Sequence, residues 1–302
     1  MMAPVELCSM IWLRPVDSRR YALLRMAFAA VTLLHIVHLW PYRIALLCND
    51  GMIDPLVASG SSPGFSISVF AIVATPFAVT LGFLVAASAT ILLAWGKLAR
   101  PMMAIVFVFL LSVMQRAPIS ASGWDYILIN LSFILLFSPL GNTWTPWNLL
   151  LKKGTLPEAQ SVPRYGLILI QLQVFVIYWQ TVLLKIDNYF WQTGDFMTYF
   201  MLSHHSRFPG SWVVNWQGLL DMMTYMTLLV ELAIPVLLWI PRTRRIGLFL
   251  GIGFHLGIAV LGVNLGIFSI VMVSTFLAFI NPWQQPREKA IQVNLQPQES
   301  CN

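Results

Sequence analysis

Three ionisable side chains stand inside or at the edge of long apolar runs: Lys185, Glu231 and His255. An ammonium or carboxylate stranded in hydrocarbon costs a few kcal/mol or more, so each group needs a partner or a purpose. A lysine stripped of water can serve as a general base, and a histidine–carboxylate pair can support it. Glu231 lies about nine residues before the basic turn PRTRR at 241–245, and His255 about ten after it. At about 1.5 Å per residue, both sit at similar depth on adjacent antiparallel helices, within reach of a shared hydrogen bond. The quieter readings are that this pair only glues two helices together, and that Lys185 snorkels to water along an apolar surface.

Other candidates surround these three. Tyr178 and Thr181 precede Lys185 by seven and four residues, hence on its helical face. Asp187 and Trp191 follow it at once, in an aromatic shelf with Tyr189 and Phe190. Asp125 opens another apolar run after Gly123 and Trp124, where a helix dipole favours a negative charge. His35 and His38 share a face near a helix end, an arrangement more often interfacial than functional, and His204 with His205 reads as a solvated loop.

The chain that must hold these groups has 302 residues, 58% hydrophobic and 10% charged, with a mean hydropathy of +0.75. Soluble domains carry about 25% charged residues, so this composition excludes an ordinary soluble fold. Apolar runs near the length of a bilayer crossing recur throughout. The reading is an all-α, polytopic membrane bundle of about eight transmembrane helices, at 21–40, 77–95, 102–114, 124–138, 165–186, 219–240, 246–261 and 265–280. Residues 1–20 form a basic interfacial lead-in, 21–282 the membrane domain, and 283–302 a polar tail. Residues 65–74 read as a short interfacial piece ahead of Pro76.

Charge placement orients the bundle. With both termini cytoplasmic, Arg14, Arg19, Arg20, Arg25, Lys97, Arg100, Lys152, Lys153, Arg164, Arg242, Arg244, Arg245, Arg287 and Lys289 all fall on the inner side. Only Arg43, Arg116, Lys185 and Arg207 remain outside, so Lys185 belongs near the outer face. The net charge of +6 is thus a topology signal rather than a nucleic-acid footprint. The interrupted first apolar run does not read as a cleavable signal peptide. Cys8, Cys48 and Cys301 form no disulfide framework, and no metal-ligand spacing occurs. No metal and no nucleic-acid partner is expected. Membrane lipid is.

The run YWQTVLLKIDNYFWQTG resembles the lysine segment of the vitamin K-dependent γ-glutamyl carboxylases, with Lys185-Ile186-Asp187 followed by Trp191-Gln-Thr-Gly194. Glu231-x-x-x-Pro235, the arginine turn, Phe254-His255 and NLGIFSIVMVSTFLAF resemble the same family. The Arg-rich start, CNDGMIDP and Gly-Trp-Asp125 are similar to its bacterial relatives, the HTTM (horizontally transferred transmembrane) domain proteins. The resemblance covers residues 15–284 and implies a bacterial inner-membrane protein with carboxylase-like, lyase-type chemistry. Lys185 would deprotonate a quinol, either vitamin K hydroquinone or menaquinol, with His255 and Glu231 in support. Oxygen would convert the quinol to a strong base, which removes a proton from a glutamate side chain. Asp187, Trp191, Asp125 and Tyr178 would bind substrate. The carboxylases carry a histidine near the position of Trp124-Asp125-Tyr126 and a large extramembrane C-terminal region. This chain has no histidine there and stops about twenty residues after its last span. It therefore fits a trimmed HTTM protein acting on a quinone or a secreted peptide, as in maturation of a sporulation-delaying toxin. A protein that binds such a ligand without turnover is the alternative, and a proton or solute transporter a third reading.

Overall fold

The computed structural model describes residues 12–53, 68–140, 144–146 and 160–281. Expectations for the first eleven residues, for Cys8 and Cys301, for Lys152 and Lys153, and for the tail after 281 lie outside the described residues.

The described chain is mostly helical. Helix α1 spans Arg19–Leu39 and runs through a 3-10 turn at Trp40–Tyr42 into α2, Arg43–Leu47. A four-residue helix α3, Val69–Ile72, leads to α4, Pro76–Ala94, and α5, Ala99–Arg116. Then come α6, Gly123–Leu136, and α7, Tyr165–Ile186. Two short helices follow, α8, Tyr189–Thr193, and α9, Phe196–Leu202. The described part closes with α10, Gln217–Trp239, α11, Arg244–Leu261, and α12, Gly266–Thr275, which continues as a 3-10 turn to Phe279.

Among the described residues, six segments are long and apolar enough to cross a membrane: 19–47, 76–94, 99–116, 165–186, 211–239 and 244–261. Two of the eight expected spans are shorter, Gly123–Leu136 and Gly266–Phe279. At 14 residues, α6 rises roughly 21 Å, less than the roughly 30 Å of a hydrocarbon core. Residues 65–74 are described from Ser68 onward. There the Ser68 hydroxyl donates to the Ser112 carbonyl at 2.9 Å, and the Val69 amide donates to the Ser112 hydroxyl at 3.1 Å.

The chain order becomes a bundle through neighbouring hairpins: α4 packs on α1 and α5, α5 on α6, α11 on α10 and α12, while α7 packs on α10. Gly247 lets the α10–α11 hairpin close tightly, since a Cβ there would stand 2.9 Å from the Leu238 backbone nitrogen. A two-stranded antiparallel ribbon, β1 Pro15–Asp17 with β2 Ser161–Pro163, ties the starts of α1 and α7 together.

Two arginines stitch opposite ends of the bundle. Arg25, fully buried on α1, donates to the carbonyls of Leu140 (2.9 Å), Ala94 (3.4 Å) and Trp144. Arg116 closes α5 and donates to Cys48 (2.9 Å) and Ile53 (3.1 Å). Terminal helix carbonyls have no intrahelical partner, and a guanidinium supplies several donors at once. Gly96 turns the chain between α4 and α5 at φ +75°, and a Cβ there would meet the Arg25 guanidinium at 2.8 Å. Arg25→Met should leave those carbonyls unsatisfied and cost about 3 kcal/mol or more. Thermal unfolding of the purified protein in detergent would measure the loss, and an unchanged midpoint would refute this role.

Candidate functional site

The end of α7 carries the site. Lys185 Nζ donates to both oxygens of Glu231, at 2.5 and 2.6 Å. The same ammonium lies 4.6 Å from the centroid of the Trp191 ring, a cation–π contact. Glu231 and Trp191 are buried, while the Lys185 side chain keeps 23% of its surface. Lys185 therefore does not snorkel into open water. It is held between a carboxylate and an indole.

Local sequence explains the placement. The α7 helix ends at Ile186, and the Asn188 side chain caps α8 by accepting from the Phe190 amide at 3.1 Å. Gly194 closes α8 at φ +88°, a conformation that glycine adopts without penalty. This short turn folds Trp191 back over Lys185 and stacks it on Phe196, with centroids 4.0 Å apart. On α10, Pro235 stands four residues after Glu231 and has no amide hydrogen for the Glu231 carbonyl, so the helix ladder is interrupted at the residue that pairs with Lys185.

Lys185 and Glu231 line a cavity of about 410 Å³, together with Thr181, Trp191, Phe196, Phe254 and Phe268. Its lining is mainly aromatic and aliphatic, and its volume lies in the range of small-ligand sites. Gly253 and Gly257 form part of the wall, and a Cβ built on either meets nothing within 4 Å. The space above α11 is thus kept open by two glycines, four apart on one helical face. This pair was missed in the sequence. Its signal, Gly-x-x-x-Gly inside a span, ordinarily marks helix–helix contact instead.

His255 does not pair with Glu231 as expected. Its Nε2 and the Tyr178 hydroxyl share a 2.7 Å hydrogen bond, and the ring packs against Phe254, Phe268 and Phe276. Glu231 meets Lys185, whereas His255 meets Tyr178, about two helical turns nearer the start of α7. His255 and Tyr178 are both buried and lie off the cavity wall. Asp187 is exposed at the end of α7 and also lies off it.

Asp125 belongs to a second cavity of about 580 Å³. It forms a capping box with Ser122, whose amide donates to Asp125 Oδ2 at 2.7 Å. Its Oδ1 lies 3.0 Å from Nε2 of the buried His35. His38, Trp124, His204 and His205 complete much of this wall. His204 and His205 are exposed but stand at its rim rather than free in solvent. Their loop is pinned to the α11–α12 turn: Val263 donates its amide to the His205 carbonyl (2.7 Å) and Arg207 its amide to the Leu261 carbonyl (2.9 Å). Among the described residues, no three His, Cys, Asp or Glu side chains converge closely enough to hold a metal ion. Leu265 lines both cavities, so they share a wall.

The comparisons agree with this architecture. The sequence model of the HTTM domain matches residues 13–283. The chain belongs to the HTTM family. It is 25% identical over 178 residues to the sporulation-delaying protein SdpB of Bacillus subtilis (strain 168), a match covering 57% of this chain and 55% of that relative. The alignment thus spans about half the length of the relative. No solved structure matches the chain. With its HTTM assignment and its apolar helices, the chain is an integral membrane protein.

The ion pair makes a direct stability prediction. Lys185→Met should cost about 2–4 kcal/mol, because it leaves the Glu231 carboxylate buried without its partner. Adding Glu231→Leu should recover most of that loss. A double-mutant cycle by thermal unfolding would read this, and additive losses would show that the two groups do not act as a pair.

Proposed function

We propose that this HTTM protein is a carboxylase-like membrane enzyme in which Lys185 acts as general base toward an apolar, quinol-type substrate. The observation that carries this reading is the Lys185–Glu231 pair, set against Trp191 in the wall of an apolar cavity. An amine there can take the proton of a bound phenolic hydroxyl, and Glu231 can hold the ammonium so formed. Flat aromatic walls suit a ring substrate, and the low-dielectric surroundings strengthen each electrostatic contact. Glu231 is placed to touch the reacting lysine. His255 supports it at one remove, by fixing Tyr178 and hence the register of α7.

The neighbouring cavity suits a polar second substrate, such as a segment of a secreted peptide. It presents His35, Asp125, His38 and Trp124, and it shares Leu265 with the quinol cavity. In this reading the chain crosses a bacterial cytoplasmic membrane eight times, two of those passes being the short helices α6 and α12. Both termini are cytoplasmic and the Lys185 end faces outward. The bias of basic residues supports that orientation.

A second reading has its own support. Both Glu231 oxygens are already engaged by Lys185, which suits a protein that binds a quinone or peptide without turnover. One assay separates the two. Purified membranes given reduced vitamin K or menaquinol, oxygen, labelled bicarbonate and glutamyl peptides should form quinone epoxide. Lys185→Ala should lower that yield by about 100-fold or more. Ligand binding with no epoxide from folded wild-type protein would favour binding alone.

The glycine-lined wall supplies a complementary test. Gly257→Leu places a side chain in open space, so it should fold normally yet fill the cavity. The expected outcome is an unchanged unfolding midpoint with quinone binding and epoxide formation lost. Retained quinone binding would move the substrate elsewhere.

A further inference from the structure

At the end of α7 remote from Lys185, three helix starts carry arginines close enough to feel one another's charge. Arg20 lies in the first turn of α1, Arg164 is the residue preceding α7, and Arg244 opens α11. None of the three helices has an acidic residue in its first turn. Helix N-termini carry partial positive charge and favour anions, so a cation at each is electrostatically the wrong sign. Three such ends held together compound the cost.

Hydrogen bonds hold the groups in place. Arg20 Nη2 and Gln171 Nε2 both donate to the Ala278 carbonyl, at 3.0 and 2.8 Å. Arg164 Nη2 donates to Gln171 Oε1 at 3.4 Å, joining Arg164 to the same network. Arg244 Nε donates to the Leu238 carbonyl at 3.0 Å, and its charge repels those of Arg164 and Arg20. The ribbon of β1 and β2 fixes the starts of α1 and α7 side by side, and with them Arg20 and Arg164.

Among the described residues, no free carboxylate answers these charges. Arg20 is only 9% exposed, and its Nε is buried without a hydrogen-bond partner, as is that of Arg164. Among the described residues the carboxylate in electrostatic reach of Arg20 is Asp17. Both Asp17 oxygens already accept from Arg19, at 2.6–3.1 Å. Buried guanidinium groups without a carboxylate call for an anion from elsewhere. Helix N-termini and arginine forks together are the recurring recipe for phosphate.

We infer that Arg20, Arg164 and Arg244 form a binding site for a phosphate-type anion at this end of the bundle. In a membrane protein the two sources are the headgroup of an anionic phospholipid and free phosphate. Bound there, the anion would lock α1, α7 and α11 together at the end remote from the Lys185 cavity.

The test uses the full-length protein, purified in a neutral detergent and titrated with phosphatidylglycerol, phosphatidylcholine or inorganic phosphate. Retained lipid is read by native mass spectrometry and stability by tryptophan-monitored thermal unfolding. Wild type should retain phosphatidylglycerol in preference to phosphatidylcholine and unfold at a higher temperature with it. If inorganic phosphate produces the whole shift, the natural anion is free phosphate; a further gain with phosphatidylglycerol assigns the lipid. Arg164→Gln combined with Arg244→Gln should weaken binding on the order of 10-fold or more, given roughly 1 kcal/mol per basic side chain at a membrane surface. Arg242→Gln with Arg245→Gln removes the same charge from exposed positions nearby and should change binding little. Equal loss in the two double variants would reduce the effect to net charge and overturn the site. So would the absence of any preference for phosphatidylglycerol or phosphate over phosphatidylcholine.

Discussion

A charge inside a low-dielectric bundle has to be met by something, and the described structure is arranged around how each one is met. Arg25 and Arg116 gather backbone carbonyls of helix ends and loops at opposite ends. Lys185 takes a carboxylate and an indole. These solutions differ in consequence. A guanidinium spread over several backbone carbonyls is held in place by them and serves to tie segments together. An ammonium set on a single carboxylate beside an open cavity can still exchange a proton or meet a ligand. The chemistry proposed for this protein is assigned to Lys185 because its partners leave one side free.

The same logic separates support from contact along α7. Tyr178 and Lys185 share a face, and each reaches a different partner helix: Tyr178 meets His255 on α11, and Lys185 meets Glu231 on α10. Two polar pairs about two turns apart fix the rotation of α7 against the α10–α11 hairpin. An apolar interface would tolerate a slight roll of α7, whereas these hydrogen bonds would break. Precision at the lysine is thus purchased deeper in the bundle, at a histidine that does not reach the cavity.

Much of the fold was legible because helix ends carry strong signals. Expected span 165–186 coincides with α7, and 77–95 differs from α4 by one residue at each end, where Pro76 takes the first helical position after the Thr75 cap. What residue counting could not give is rotation about the helix axis. Equal depth placed Glu231 beside His255 on paper, but at about 3.6 residues per turn the direction in which a side chain points depends on how the helices cross. The second cavity was hidden for another reason. His204 and His205 are drawn to its rim by backbone hydrogen bonds between their loop and the α11–α12 turn, and backbone bonds leave no mark on side-chain pattern. His35 and Asp125 are 90 positions apart in a single sequence, which offers no means of joining them.

The two cavities then form one arrangement rather than two accidents. Leu265 stands between them, in the turn to which the histidine loop is pinned. Asn264, just before it, holds φ +61°, a left-handed conformation that asparagine tolerates better than most residues. A turn so constrained keeps the partition thin and fixed, with a lysine–carboxylate pair on one side and a histidine–carboxylate pair on the other. The proposed chemistry, from an apolar reactant to a polar one, would use such a geometry: separate compartments with little protein between them. A transporter would need a continuous polar path along the bundle. Here the ionisable groups gather at the two ends, around Lys185 and around Arg20 and Arg164, and between Gln173 and Tyr178 helix α7 carries the apolar run Val174, Phe175, Val176 and Ile177. The distribution of polarity along the helices therefore favours a site at one face over a route across.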